Sequence, residues 1–170
     1  MTKTSQSFLS TTNEDFDCDR NEYNDFFYLL VDDLKQLYWF EKSFLKVVTR
    51  MKKASGSTTL NNLFADYLIS INLSLERLEQ IFIFSGELPG GNKNNLDEEF
   101  LNDVNNILIE TKEDDSLRNE GLFLVLKKLD ELKSNFYQKA ITLATGLDND
   151  EVISLLEENK CSVLPAINHL

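Results

Sequence analysis

The feature that most constrains the fold is a stripe of mostly apolar residues that recurs every three or four positions in the first third of the chain. It consists of Phe27, Leu30, Leu34, Leu37, Glu41, Phe44, Val48 and Met51. An α-helix turns once in about 3.6 residues, so this spacing places all of these side chains on one helical face. The stripe therefore predicts a long helix that buries one face against other helices.

Helical periodicity continues along the rest of the chain, and turn-forming residues divide it into segments. Gly56, Gly90 and Gly146 stand where the apolar pattern breaks, as glycine commonly does at the end of a helix. The predicted helices, with boundaries good to about two to four residues, span 25–54, 58–85, 96–112, 116–145 and 148–163. No strand-like alternation of useful length occurs. The predicted fold class is therefore all-α, an antiparallel bundle of four long helices in which the 96–112 segment is a shorter connecting helix.

The first residues have a different composition from the rest. Residues 1–24 are rich in Ser, Thr and Asn and then become acidic, which predicts a mobile acidic tail ahead of a single bundle over 25–170. An alternative is a docked N-terminal segment anchored by Phe8, Leu9 and Phe16.

The chain is acidic, with 17 basic and 29 acidic side chains and a net charge of −12. Such a surface repels phosphate backbones and anionic lipid, so we expect neither nucleic acid nor a membrane as a partner. Apolar stretches are too short to span a bilayer, and the first residues lack the apolar core of a signal peptide. The two cysteines, Cys18 and Cys161, match no metal or redox spacing and are expected to be reduced thiols, which predicts a cytoplasmic protein.

Three strings resemble the YciE/YciF family. Residues 32–42 read DDLKQLYWFEK, similar to the family's D-E-L-x-D-L-Y-x-A-E-K, and residues 75–82 read LERLEQIF, similar to V-E-R-L-E-Q-V-F. Residues 155–158, LLEE, resemble its last helix. The resemblance covers roughly residues 26–158. It implies a ferritin-like four-helix bundle, a homodimer, an association with stress and, in many members, two metals in the bundle core.

The ligands for those metals are largely missing from this sequence. A di-iron site in a helical bundle needs inward carboxylates and histidines, commonly in Glu-x-x-His turns. The chain has one histidine, His169, and the residue three positions before it is Ala166, so no such turn exists. The columns that the resemblance assigns to ligands fall on Glu41, Ser70, Ser74, Asp130, Glu131, Lys133, Ser162 and Val163. We therefore expect neither a metal nor another cofactor.

These substitutions suggest that a vestigial polar cluster replaces the metal site. Glu41 lies on an apolar stripe, and a buried carboxylate needs a partner or a raised pKa. One hypothesis pairs Glu41 with Lys133, with Asp130 sharing the ammonium from one turn away. Ser70 and Ser74, four residues apart, would be small neutral fillers that bond back to their own helix. The alternative is that all these side chains are ordinary helix surface.

Three functions remain open. The first is a non-catalytic bundle that acts through self-association or a protein partner. The second is a metal-binding di-iron oxidase or iron-handling protein, and the third is a binder of a small apolar ligand between the helices. Core packing explains the twelve phenylalanines more simply than a ligand pocket does. A Ser-His-Asp arrangement would have to use the terminal His169, and no glycine-rich phosphate loop occurs, so we do not expect an enzyme.

Overall fold

The computed structural model of the chain describes residues 14–90 and 95–161, with side chains from residue 25 onward except that of residue 97. Five helices make up this part of the chain: α1 (Glu14–Ala54), α2 (Thr58–Phe84), α3 (Leu96–Glu110), α4 (Asp115–Thr145) and α5 (Asp150–Lys160). No strand occurs within it. The all-α prediction is confirmed, and α2, α3 and α4 begin and end within two residues of the predicted positions.

The two ends of the bundle differ from the prediction. α1 begins at Glu14 rather than near residue 25, so part of the predicted tail is helical. Acidic residues near the start of a helix interact favourably with its dipole, and the first residues of α1 are acidic in sequence. α5 ends at Lys160, three residues before the predicted end. Phe8, Leu9, Ser162, Val163 and the remaining terminal residues lie outside the described part of the chain.

Side chains at three helix starts accept hydrogen bonds from the first free backbone amides. Ser57 accepts from the amide of Leu60 at 3.3 Å, and Asp114 accepts from the amide of Leu117 at 2.9 Å. Asn149 caps α5 by accepting from Val152 at 3.1 Å. These bonds satisfy donors that a helix cannot pair internally, and they define where α2, α4 and α5 begin.

Two short helices each cover a different half of three long ones. α1 packs against both α2 and α4, which run antiparallel to it. α5 packs on α2 and α4 at one end of the bundle, whereas α3 packs on α1 and α4 toward the other end. The fourth position of the bundle is therefore filled by a helix of only 11 residues.

The interior consists of two apolar clusters. One cluster includes Phe44, Phe64 and Leu126 and is closed by residues of α3. The other includes Leu34 and Leu78 and is closed by residues of α5. The long helices run through both clusters, and the residues between the two clusters form the candidate site.

Aromatic rings pack against one another in the first of these clusters. The ring of Phe40 lies 5.7 Å from that of Phe44 and 5.3 Å from that of Phe136, and Phe44 lies 5.9 Å from Tyr67. These centroid distances are typical of packed aromatic cores.

No helix among the described residues is long and apolar enough to cross a membrane.

Candidate functional site

A layer of polar side chains crosses the middle of the bundle between the two apolar clusters. Each bundle helix contributes at least one fully or almost fully buried member: Glu41 from α1, Ser74 from α2, Lys133 and Tyr137 from α4, and Asn159 from α5. The side chains of Glu41 and Lys133 are 0% and 5% exposed. Burial of a charge is costly unless another charge and hydrogen bonds compensate it, so the contacts within this polar layer decide whether the bundle is stable.

The centre of the polar layer is an ion pair between α1 and α4. The Lys133 Nζ atom lies 3.1 Å from Glu41 Oε1 and donates to the Ser74 hydroxyl at 3.1 Å. Tyr137 lies one turn after Lys133, and its hydroxyl donates to the same Glu41 oxygen at 2.8 Å. Glu41 Oε1 therefore faces an ammonium and a phenol together. Glu41 Oε2 has no hydrogen-bond partner among the described residues.

Burial dominates the acid–base properties of this centre. Desolvation raises the pKa of Glu41, although the Lys133 ammonium and the hydrogen bonds from Tyr137, Lys133 and Ser74 act in the opposite direction. Burial also raises the pKa of Tyr137 well above its usual value, and the adjacent Glu41 charge adds to this. Tyr137 thus keeps its hydroxyl proton and donates a hydrogen bond to Glu41. The positive charge of Lys133 is what favours the ionised form of the Glu41 carboxyl against the cost of burial.

The α5 side of the polar layer connects the centre to the surface. The Asn159 amide donates to the Ser74 carbonyl at 3.1 Å, and its oxygen accepts from Arg77 at 3.2 Å. Arg77 in turn forms a 2.9 Å ion pair with Glu158, which is about half exposed. A continuous series of polar contacts therefore runs from a fully buried carboxylate to solvent.

The structure brings together three of the five residues predicted for the cluster, namely Glu41, Ser74 and Lys133. Ser70 lies one turn before Ser74 and is half buried. Of these two serines, it is the hydroxyl of Ser74 that accepts from the Lys133 ammonium. Asp130 is also half buried, and it accepts a hydrogen bond from the Tyr67 hydroxyl at 3.0 Å. This bond ties Asp130 to α2, and the sharing of the ammonium by Asp130 stays a prediction.

Sequence reasoning missed three contributors to the polar layer. Tyr137 follows Lys133 by four residues, which is the spacing of one helical face. Asn159 follows the buried residues Val152 and Leu156 at seven and three positions, so it lies on the apolar stripe of α5. Arg77 belongs to the string that carries the family resemblance, and nothing in its spacing identified α5 as its partner.

The polar layer does not have the composition of a dinuclear metal centre. An ammonium has no lone pair to donate, and it repels a second cation. Lys133 and Ser74 occupy the space beside Glu41 Oε1, where further carboxylates or imidazoles would be required. Across the described residues, no group of three or more His, Cys, Asp or Glu side chains is placed to hold a metal ion.

The fold is that of a ferritin-like bundle. The E. coli stress protein YciF superimposes with a TM-score of 0.71 at 22% identity, over 78% of this chain and 83% of that one. YcfI from Rhodopseudomonas palustris, described as "a putative structural protein", superimposes with a TM-score of 0.73 at 20% identity over the same shares. Identities this low establish a shared fold.

The family follows from the sequence comparison. Residues 25–162 match the model of the family described as Domain of unknown function (DUF892), and the chain belongs to this family. The resemblance to YciE/YciF-like proteins is thereby confirmed. No curated protein matches the sequence.

Replacing Lys133 by Met should strand the Glu41 carboxylate in the core. We expect the free energy of unfolding in urea to fall by ~3–5 kcal/mol, the usual scale for breaking a buried pair. Glu41→Gln added to Lys133→Met should recover much of the loss, because the amide oxygen still accepts from Tyr137. Lys128→Met on the same helix removes an exposed partner of Asp103 and should cost less than about 1 kcal/mol. An unchanged unfolding midpoint for Lys133→Met would contradict the assignment.

The cost of Lys133→Met should also depend on pH. The substitution removes the cation that lowers the pKa of Glu41, so that pKa rises further. A carboxyl with a raised folded-state pKa favours the native state below its unfolded pKa, and this contribution is lost as pH rises through the folded pKa. The stability deficit of Lys133→Met relative to wild type should therefore shrink as pH falls from neutral toward the usual glutamate pKa of 4.5. Lys133→Met with Glu41→Gln should show no such shrinkage, and a pH-independent deficit in the single variant would refute this account.

Proposed function

We propose that this chain is a non-catalytic, metal-independent member of its family, which acts in the cytoplasm as a helical bundle through self-association or a protein partner. The observation that carries the proposal is the Lys133–Glu41 ion pair in the buried polar layer. Glu41 stands where the family resemblance places a metal-ligating carboxylate, and the chain supplies its own cation beside it. The polar layer is on this proposal a vestige of a metal site that now has only a structural role.

The burial of the polar layer argues against a catalytic role. A general acid or base must come within hydrogen-bonding distance of its substrate. Glu41 and Tyr137 are both 0% exposed and already bond to each other. Their contacts satisfy groups inside the protein, which is the arrangement expected of residues that specify packing.

The alternative of a small apolar ligand between the helices receives less support. The phenylalanines that such a site would use pack on one another, as Phe40 does with Phe44 and Phe136. A depression of about 410 Å³ lies at the surface between α4 and α5, and its lining contains no phenylalanine: Gln138, Ile141, Glu157, Lys160 and Cys161. Charged side chains suit water better than an apolar ligand.

Exposed apolar side chains support an interaction with another chain. Ile69, Leu73 and Ile83 lie on one side of α2 and are 62%, 43% and 72% exposed. Several exposed apolar residues on one side of a helix are consistent with a contact surface, and a second copy of this chain is the partner that the family resemblance implies. The structural neighbour YciF is described as a stress protein, and we propose a stress-related role on that basis.

Purified protein should contain no stoichiometric iron, manganese or zinc. One histidine in the whole sequence and a lysine beside Glu41 cannot complete a dinuclear coordination shell. Elemental analysis should be repeated after incubation with excess Fe(II) and desalting, so that metal lost during purification is replaced. Retention of about two metals per chain, the number in a di-iron bundle, would overturn the proposal.

Light scattering should give a mass of about twice 19.6 kDa at high protein concentration, because we expect a homodimer. The measurement should cover a wide concentration range, since a reversible dimer dissociates on dilution. A 19.6 kDa species at every concentration would remove self-association from the proposal and leave only a different protein as the partner.

A further inference from the structure

We infer that two copies of this chain associate by exchanging α5, so that each copy completes the buried polar layer of the other. This inference rests on the proposed self-association and specifies its mechanism. Three observations carry it: the backbone of the α4–α5 connection, the short length of α5, and the chemistry with which α2 and α4 recognise it.

The α4–α5 connection reverses the chain at one residue. Backbone hydrogen bonds of the helical type continue past the end of α4. The amide of Gly146 donates to the carbonyl of Thr142 at 3.4 Å, that of Leu147 to Ala144 at 3.1 Å, and that of Asp148 to Thr145 at 3.2 Å. Asp148 then adopts a φ of +51°, the one positive φ at a non-glycine position among the described residues. The direction of α5 relative to α4 is therefore set by a left-handed conformation at Asp148, followed by the Asn149 cap.

L-amino acids adopt this left-handed conformation at a cost that glycine does not have, although Asp tolerates it better than most. A right-handed conformation at Asp148 would remove the cost and direct α5 away from its own bundle. Short connections under strain favour the exchange of a terminal element between copies, because the open form relieves what the closed form must hold. The α4–α5 connection has both properties.

α5 cannot remain unpaired in the open form. It has 11 residues and buries Val152, Leu156 and Asn159. Helices of this length are marginal in water without tertiary contacts, so a released α5 would have to dock again. The surface of α2 and α4 that receives it, which we call the α5 seat, is present on every copy of the chain.

The α5 seat recognises α5 through contacts that do not depend on chain connectivity. Arg77 pairs with Glu158 at 2.9 Å, and Asn159 bonds to the Ser74 carbonyl at 3.1 Å. The same contacts form when α5 comes from a second copy. An open copy has an incomplete polar layer, with Ser74 and its neighbour Lys133 uncovered, so the partner contributes a residue that the site requires.

The closed form should dominate in dilute solution. An α5 attached through a four-residue connection, residues 146–149, has a high effective concentration at its own seat. Exchange therefore depends on protein concentration and on the conformational preference of Asp148. These two dependences distinguish an exchanged dimer from a dimer formed by outer helix faces.

The first test uses charge reversal to force the exchange. Arg77→Glu and Glu158→Arg each place like charges together within one closed copy. In an exchanged heterodimer of the two variants, one seat contains Glu at 77 with Arg at 158, and the other contains the natural pair. After co-refolding one tagged and one untagged variant, the heterodimer should exceed the statistical 1:2:1 distribution by about tenfold, as two repulsions become two ion pairs. A statistical distribution would overturn the exchange while leaving an ordinary dimer, and thus the proposed function, intact.

The second test needs no charge change at the seat. Asp148→Gly and Asp148→Ala both remove the carboxylate, but glycine accepts a positive φ whereas alanine resists it and favours a continuous helix. Light scattering after refolding at high concentration should show less dimer for Asp148→Gly than for Asp148→Ala, with dissociation constants that differ by about tenfold or more. Equal dissociation constants for the two variants would refute the exchange, even if both were dimers.

Discussion

The contact between Lys133 and Glu41 is the interaction on which the rest of the bundle depends. It lies where the two apolar clusters meet, and both charges are removed from water. A pair of this kind adds little net stability compared with apolar residues of similar size, but loss of one partner leaves an uncompensated charge. The helices must therefore be placed so that the ammonium, the carboxylate and the Ser74 and Tyr137 hydroxyls meet.

This requirement acts on helix register more than on stability. Apolar surfaces of helices can slide past one another at modest cost, because one leucine replaces another. A slip of one turn in α1 or α4 would place a charge against an apolar side chain. The polar layer contains at least one residue from each bundle helix, so it specifies the relative heights of all four.

The general architecture was predictable from the sequence because it depends on local patterns. Apolar periodicity and glycine positions located α2, α3 and α4 within two residues. The position of Glu41 on the apolar stripe favoured a buried carboxylate without excluding an exposed one, and the structure buries it. The helical start of α1 was missed because an acidic, polar sequence has the same composition whether it is a tail or a first turn.

The candidate site was predictable only in part. Its central pair follows from the resemblance and from charge balance, whereas Asn159 and Arg77 join it through a contact between residues 82 positions apart. The hydrogen bond from Tyr67 to Asp130 likewise joins residues 63 positions apart, and it depends on which way α2 faces α4. Long-range contacts of this kind depend on helix rotation, and periodicity in one sequence defines that rotation only to within a fraction of a turn.

The division of the interior into two apolar clusters has a consequence for how the protein opens. Each end of the bundle has its own short helix, α3 at one end and α5 at the other. Neighbouring clusters of this type commonly behave as separate cooperative units, each with its own free energy of local unfolding. The long helices would then act as a shared frame, in which the α3 end and the α5 end each open and close without requiring the other end to unfold.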